Sequence, residues 1–162
     1  MDQQLFDEPI GTPLAARMRP RQVSEFFGQD HAVAAGGAVD QLIALGPLTA
    51  TSLLLIGPPG TGKTTLARII AAESGRDFIE LSAINSGIRE LREAIASSIS
   101  TARNAGLAAI VFIDEIHRYS KTQQDALLSA LEDGSILLIG ATTKTLCLHS
   151  PMPLFRAWYW FD

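Results

Sequence analysis

Apolar residues along this chain fall into short dense runs, and the stretches between them repeat apolar positions every three or four residues. Leu53-Leu54-Leu55-Ile56 is unbroken and stops at glycine and proline, the look of a strand buried on both faces of a parallel sheet. Residues 78–81, 109–113 and 136–139 read as three more strands. Leu66, Ile69 and Ile70 share one face of a helix expected over 62–73 and stopped by Gly75. Ile88, Leu91, Ile95 and Ile99 recur at helical spacing to about 104, where Asn104-Ala105-Gly106 closes the helix. Leu127, Leu128 and Leu131 face inward on a helix over 121–131, ended by Asp133-Gly134. Upstream, residues 31–45 read as a helix through Val33, Val39, Leu42, Ile43 and Leu45, with Gly36-Gly37 weakening it. Strands alternating with helices predict an α/β fold, a mainly parallel sheet with helices on both faces.

Composition narrows the class. The 162 residues suffice for one domain with a real core, and 47% hydrophobic with 19% charged is ordinary for a soluble globular protein. The net charge of −4 gives no global basic signature of nucleic-acid binding, which leaves room only for local basic patches. Cys147 is the one cysteine, so an internal disulfide is excluded and a cytoplasmic setting is expected. Residues 1–8 are acidic and polar, unlike a secretory signal. No apolar run approaches the ~20 residues that span a bilayer, so no membrane association is expected. Residues 1–12 read as a flexible arm, 13–143 as the core, and 144–162 as an atypical tail.

The chemistry sits where strands end. Gly57-Pro58-Pro59-Gly60-Thr61-Gly62-Lys63-Thr64, followed by Thr65, matches the phosphate-binding loop G-x-x-x-x-G-K-[ST]. Its glycines let the backbone curl so that N–H groups point at phosphate oxygens, and the following helix aims its positive end at the same anion. Lys63 supplies charge to the β- and γ-phosphates of ATP, and Thr64 offers a hydroxyl to Mg²⁺. The strand before and the helix after decide against a chance glycine-rich turn. Asp114 and Glu115 end a buried strand, the position of ligand contacts in open α/β sheets. Asp114 is expected to hold Mg²⁺, directly or through water, and Glu115 to polarise the attacking water as general base. A solvated acidic turn is the bland reading of the pair. Thr143, or with less support Thr142, is a candidate to orient that water or sense the γ-phosphate, against the plainer reading of a turn or helix cap. Arg17, Arg19 and Arg21 divide evenly between a solvated linker and a role near the nucleotide. His31 and His117 lack metal-ligand spacing and read as structural. Gln123-Gln124-Asp125 reads as a solvated helix face, with a subunit contact as the alternative.

With these residues in view, the chain resembles the RarA/MgsA type of AAA+ ATPase, the replication-associated recombination proteins. The resemblance is carried by Pro13-Leu14-Ala15-Ala16-Arg17-Met18-Arg19-Pro20, by Phe27-Gly28-Gln29-Asp30-His31, by the phosphate loop and by Leu81-Ser82-Ala83 before Ser86-Gly87. It continues in the stretch from Asp114 through His117, Arg118 and Tyr119 to Gln123-Gln124-Asp125, then Leu131-Glu132-Asp133-Gly134 and Gly140-Ala141-Thr142-Thr143. It implies a P-loop NTPase core and an ATPase that acts at stalled replication forks. It also implies binding to DNA and single-stranded-DNA-binding protein, and assembly into a homo-oligomer. It further implies that Arg19-Pro20 and the Gly28-Gln29 region line the adenine pocket.

After Thr143 the family pattern is lost. The family continues with Glu-Asn-Pro and later Leu-Ser-Arg, whose arginine reaches a neighbouring subunit's ATP. Here Lys144-Thr145-Leu146-Cys147 follows, five of the chain's eleven aromatics crowd into the last eight residues, and no period runs through them. An aromatic segment packing on the sheet is the bland reading. The sharper one is a frameshifted tail, because one inserted base after codon 143 permits Thr-Glu-Asn-Pro and then Leu-Ser-Arg in back-translation. On that reading the fifth strand and the helical lid are missing, the 53–56 strand is an open edge, and Arg156 is no arginine finger. The rivals to a hydrolysing core are a truncated, non-catalytic nucleotide-binding fragment and a clamp-loader or Holliday-junction-motor relative.

Overall fold

The computed structural model describes residues 18–26, 37–44 and 52–144, and the backbone of 157–160. A 3₁₀ turn (Val23–Glu25) and helix α1 (Ala38–Ala44) come first. Then follow β1 (Ser52–Ile56), α2 (Lys63–Glu73), β2 (Phe78–Ser82), α3 (Ile88–Ala105), β3 (Ile110–Asp114), a second 3₁₀ turn (Ile116–Arg118), α4 (Lys121–Glu132), β4 (Leu137–Thr142) and β5 (Ala157–Trp160). The strands form one sheet in the order β2-β3-β4-β1-β5, every neighbouring pair parallel.

Strand periodicity divides the core in two. Leu53 and Leu55 of β1, Ile110 and Phe112 of β3, and Leu137 and Ile139 of β4 turn to one face, where they meet Val39 and Leu42 of α1 and Leu66 and Ile70 of α2. Leu54, Ile56, Val111, Ile113 and Leu138 turn to the other, against Leu91 of α3 and Leu127 and Leu131 of α4. Burial on both sides explains why these runs show no polar alternation. Each fully buried Leu or Ile contributes roughly 1.5–3 kcal/mol of transfer free energy. Strand β2 lies at the edge and is only half-buried, and its Glu80 pairs with Arg68, whose guanidinium also lies 5.0 Å from the Phe78 ring centre.

Local chemistry sets the helix starts. Ser120 caps α4: its hydroxyl accepts from the Gln123 N–H at 3.4 Å, and the Gln123 side-chain Oε1 accepts from the Ser120 N–H at 3.0 Å, a reciprocal capping box. Gln123 also donates to the Ser86 carbonyl (3.3 Å), and Gln124 to the Tyr119 carbonyl (2.9 Å). The two glutamines are therefore tied to their own chain, not to solvent alone.

The elements fall where the sequence pattern puts them, with two differences. Strand β4 runs on to Thr142 because β1 stays paired with it that far, Leu55 opposite Ala141 and Ile56 opposite Thr142, beyond the end of its pairing with β3 at Gly140. The expected loss of the fifth strand is not what is found. Ala157–Trp160 pairs parallel with β1, Leu53 opposite Ala157 and Ile56 opposite Trp160. Aromatic residues favour strands, and β1 presents an otherwise unpaired row of N–H and C=O groups, so a strand-prone segment is recruited without any regular period of its own. Among the described residues no helix follows β4. Of the helix expected over 31–45, residues 31–36 and 45 lie outside the described residues.

Candidate functional site

Because every strand runs the same way, the segments leaving β1, β3 and β4 emerge on one edge of the sheet, with β4 between the other two. The phosphate-loop sequence joins β1 to α2. Its first residue, Gly57, donates its N–H to the Thr142 carbonyl at 3.1 Å, fastening the loop to the end of β4. Pro58, Pro59 and Gly60 are exposed. Gly62 has φ +90°, and a Cβ there would stand 3.0 Å from the Phe26 ring, so both backbone and space demand glycine. Phe26 belongs to the segment that also donates the Val23 N–H to Glu73 at 2.8 Å, so this N-terminal stretch touches both ends of α2.

Lys63 opens α2 and is buried at 7% exposure. Its ammonium donates to the carbonyls of Gly57 (2.8 Å) and Pro58 (2.6 Å) and lies 3.3 Å from the Thr61 hydroxyl. Burial lowers its pKa, and the charges of Asp114 and Glu115 pull it back up. Thr64 and Thr65 are half-buried on the first turn of α2, which carries no acidic residue to mask the helix's positive end.

Asp114 ends β3 opposite Ser82 and accepts the Glu115 N–H at 3.0 Å. Glu115 has φ 53°, and among the described residues it is the one non-glycine with positive φ. Its carboxylate accepts from the Thr143 hydroxyl, at 2.9 and 3.2 Å to its two oxygens, and lies 3.2 Å from His117 Nδ1. His117 Nδ1 is also 2.8 Å from the Thr142 hydroxyl oxygen, which accepts the Lys144 N–H at 3.1 Å. Burial lowers the His117 pKa; Glu115 opposes this, and Lys144 and Arg118 add to it.

The residues expected to act together are thus brought together: the loop, Lys63, Asp114, Glu115 and Thr143. Thr142 is fully buried and Thr143 exposed, which separates the two candidate threonines. His117, read from sequence as structural, joins the site because the 3₁₀ turn folds it back over Glu115. Its signal was only its place two residues after the acid. Arg19 and Arg21 are exposed, and the Arg21 N–H binds Glu25 at 2.8 Å. Arg17, Gly28, Gln29, His31, Cys147 and Arg156 lie outside the described residues.

The donors fit a magnesium nucleotide. Thr64 and Asp114 offer hard oxygen atoms. Among the described residues no three His, Cys, Asp or Glu side chains cluster as a metal cage. Mg²⁺ takes one or two protein oxygens and completes its shell with phosphates and water.

Comparison with known proteins agrees with this fold. Residues 53–157 match the AAA family, "ATPase family associated with various cellular activities", and residues 10–90 match the TIP49 P-loop domain. The Escherichia coli K12 replication-associated recombination protein A is 49% identical over 139 residues, 86% of this chain and 30% of that protein. The Dictyostelium discoideum ATPase WRNIP1 is 46% identical over 139 residues, 86% of this chain and 16% of that protein. The chain therefore spans a third or less of these relatives. Among solved structures, the Thermotoga maritima RuvB Holliday junction branch migration motor aligns with a TM-score of 0.65 at 33% identity, covering 90% of this chain and 49% of that one. No helix among the described residues is long and apolar enough to cross a membrane.

Proposed function

The chain belongs to the AAA family of ATPases, and from that premise we propose that it binds ATP with Mg²⁺ and carries the hydrolytic half of a replication-fork recombination or repair ATPase. The observation that carries this reading is the convergence on one sheet edge of Lys63 in its loop with Glu115 bound to Thr143.

The loop N–H groups and Lys63 bind the phosphates. Phosphate oxygens would replace the carbonyls of Gly57 and Pro58 as partners of the Lys63 ammonium, a stronger, charge-assisted contact. Thr64 and Asp114 would hold Mg²⁺, which neutralises charge on the phosphates when bound. Glu115 accepts a proton from the attacking water as the β–γ bond breaks, and Thr143 orients the water or the γ-phosphate. An arginine from a neighbouring subunit completes the transition-state charge, so full turnover needs an oligomer. Binding to DNA at stalled forks and to single-stranded-DNA-binding protein, in the cytoplasm, follows for the same reading from the likeness to the recombination proteins.

The test is nucleotide titration beside steady-state turnover. Lys63→Ala should weaken binding of a fluorescent ATP analogue. Glu115→Gln should leave binding intact and slow hydrolysis by about 10²–10⁴-fold. Equal affinity in the Lys63 variant would remove the loop from the site, and unchanged turnover in the Glu115 variant would remove the base. A chain that binds ATP and turns over none would be the non-catalytic binder.

A further inference from the structure

We infer that His117 is a positioning residue, fixing the Glu115 carboxylate to Thr142 at the end of β4 and, through Thr142, to the first residue of the phosphate loop. The inference rests on the proposed role of Glu115 as base.

Glu115 is gripped from two sides by unlike partners. Thr143 is exposed, so its hydroxyl is free to exchange the carboxylate for a ligand or water. The His117 side chain is 8% exposed and cannot move without disturbing its surroundings. Its Nδ1 meets two oxygens from two elements, Thr142 Oγ1 at 2.8 Å and Glu115 Oε2 at 3.2 Å. Either tautomer satisfies the 2.8 Å contact with Thr142, but an ionised carboxylate only accepts, so holding Glu115 requires the proton on Nδ1. Nε2 is then a lone pair, buried with no partner. A histidine kept for packing would be expected to satisfy both nitrogens; this one leaves Nε2 without a partner and sets Nδ1 against Thr142 and the acid.

Thr142 gives the contact its reach. It is fully buried, its carbonyl accepts the Gly57 N–H at 3.1 Å, and its hydroxyl faces His117. The path from loop to base therefore runs Gly57, Thr142, His117, Glu115: two hydrogen bonds, at 3.1 and 2.8 Å, and then the 3.2 Å nitrogen–oxygen contact with the carboxylate. When Thr143 releases Glu115, His117 keeps the carboxylate beside Thr142.

Two measurements on the full chain test this. In ¹⁵N-histidine NMR, with His117 assigned among His31, His117 and His149 by its loss in His117→Asn, the ring should be the neutral Nδ1–H tautomer. Its Nδ1 proton should shift in Glu115→Ala. An Nε2–H tautomer, or a proton indifferent to Glu115→Ala, overturns the inference whether or not the chain hydrolyses ATP. In turnover assays, His117→Leu should lower kcat at least tenfold with KM for ATP little changed, and His117→Asn, which places an amide donor near the Nδ1 position, should recover most of the loss. In a Glu115→Gln background, His117→Leu should add nothing. Unchanged kcat in a folded His117→Leu, or an equal loss in the double variant, overturns it. Unchanged turnover in Glu115→Gln alone instead sinks the reading of Glu115 as base, and the NMR result still decides the contact.

Discussion

Glu115 holds a left-handed backbone conformation that costs an ordinary L-residue roughly 1–2 kcal/mol. The 3₁₀ turn beginning at Ile116, the bond from Thr143 and the contact with His117 hold it there. Glycine is free of the penalty and alanine is not. Glu115→Gly should therefore be more stable to urea than Glu115→Ala by about 1 kcal/mol, the reverse of their helix ranking. A more stable alanine variant would mean that the site carries no backbone strain. His117 gives a second residue-scale prediction. Its folded pKa lies below the unfolded value of 6.5, mainly through burial, so between the two values the unfolded chain binds more protons. The stability this contributes is present above pH 6.5 and is lost as pH falls through the folded pKa. The melting temperature of the wild type should drop more steeply on acidification below pH 6.5 than that of His117→Asn; parallel curves would contradict the shift.

At the scale of the element, α2 depends on how its start is built. Gly62 must be left-handed and leaves no room for a Cβ beside Phe26. Gly62→Ala should cost at least about 1–2 kcal/mol in unfolding experiments and weaken nucleotide binding as well, since strain and clash both fall on the residue before Lys63. Helix α4 depends on Ser120. Ser120→Ala removes the side chain that accepts the Gln123 N–H, and about 1 kcal/mol of stability should go with it while nucleotide affinity holds. The phosphate loop, the two acids and the helix starts were legible in the sequence because each is a local pattern. The Gly62–Phe26 contact was not, because nothing within either segment specifies the other.

Across the whole molecule, the sheet order decides which ends meet. Inserting β4 between β1 and β3 brings Thr143 beside Glu115 and Thr142 beside Gly57. It also leaves β1 needing a partner on its far side, supplied by Ala157–Trp160. Removing residues 145–162 should bare the apolar β1 edge and raise light scattering at concentrations where the intact chain stays clear. Unchanged scattering would show that β5 does not protect that edge.

The sequence by itself determined the class of fold and where the phosphate-loop motif sits in it. Apolar runs this short, bounded by glycine and proline, point to strands buried on both faces, and a loop of that glycine spacing between strand and helix points to phosphate. What only the tertiary structure decided was adjacency. The aromatic tail carries no period that would announce a strand, yet an unpaired ladder edge recruits it. His117 has no spacing that would mark a site, yet a 3₁₀ turn and a strand from 25 residues on place two oxygens at one of its nitrogens. Periodicity and motif are properties of neighbours in sequence. Strand order and hydrogen-bond partnership are properties of neighbours in space, fixed only when the two faces of the sheet are covered together.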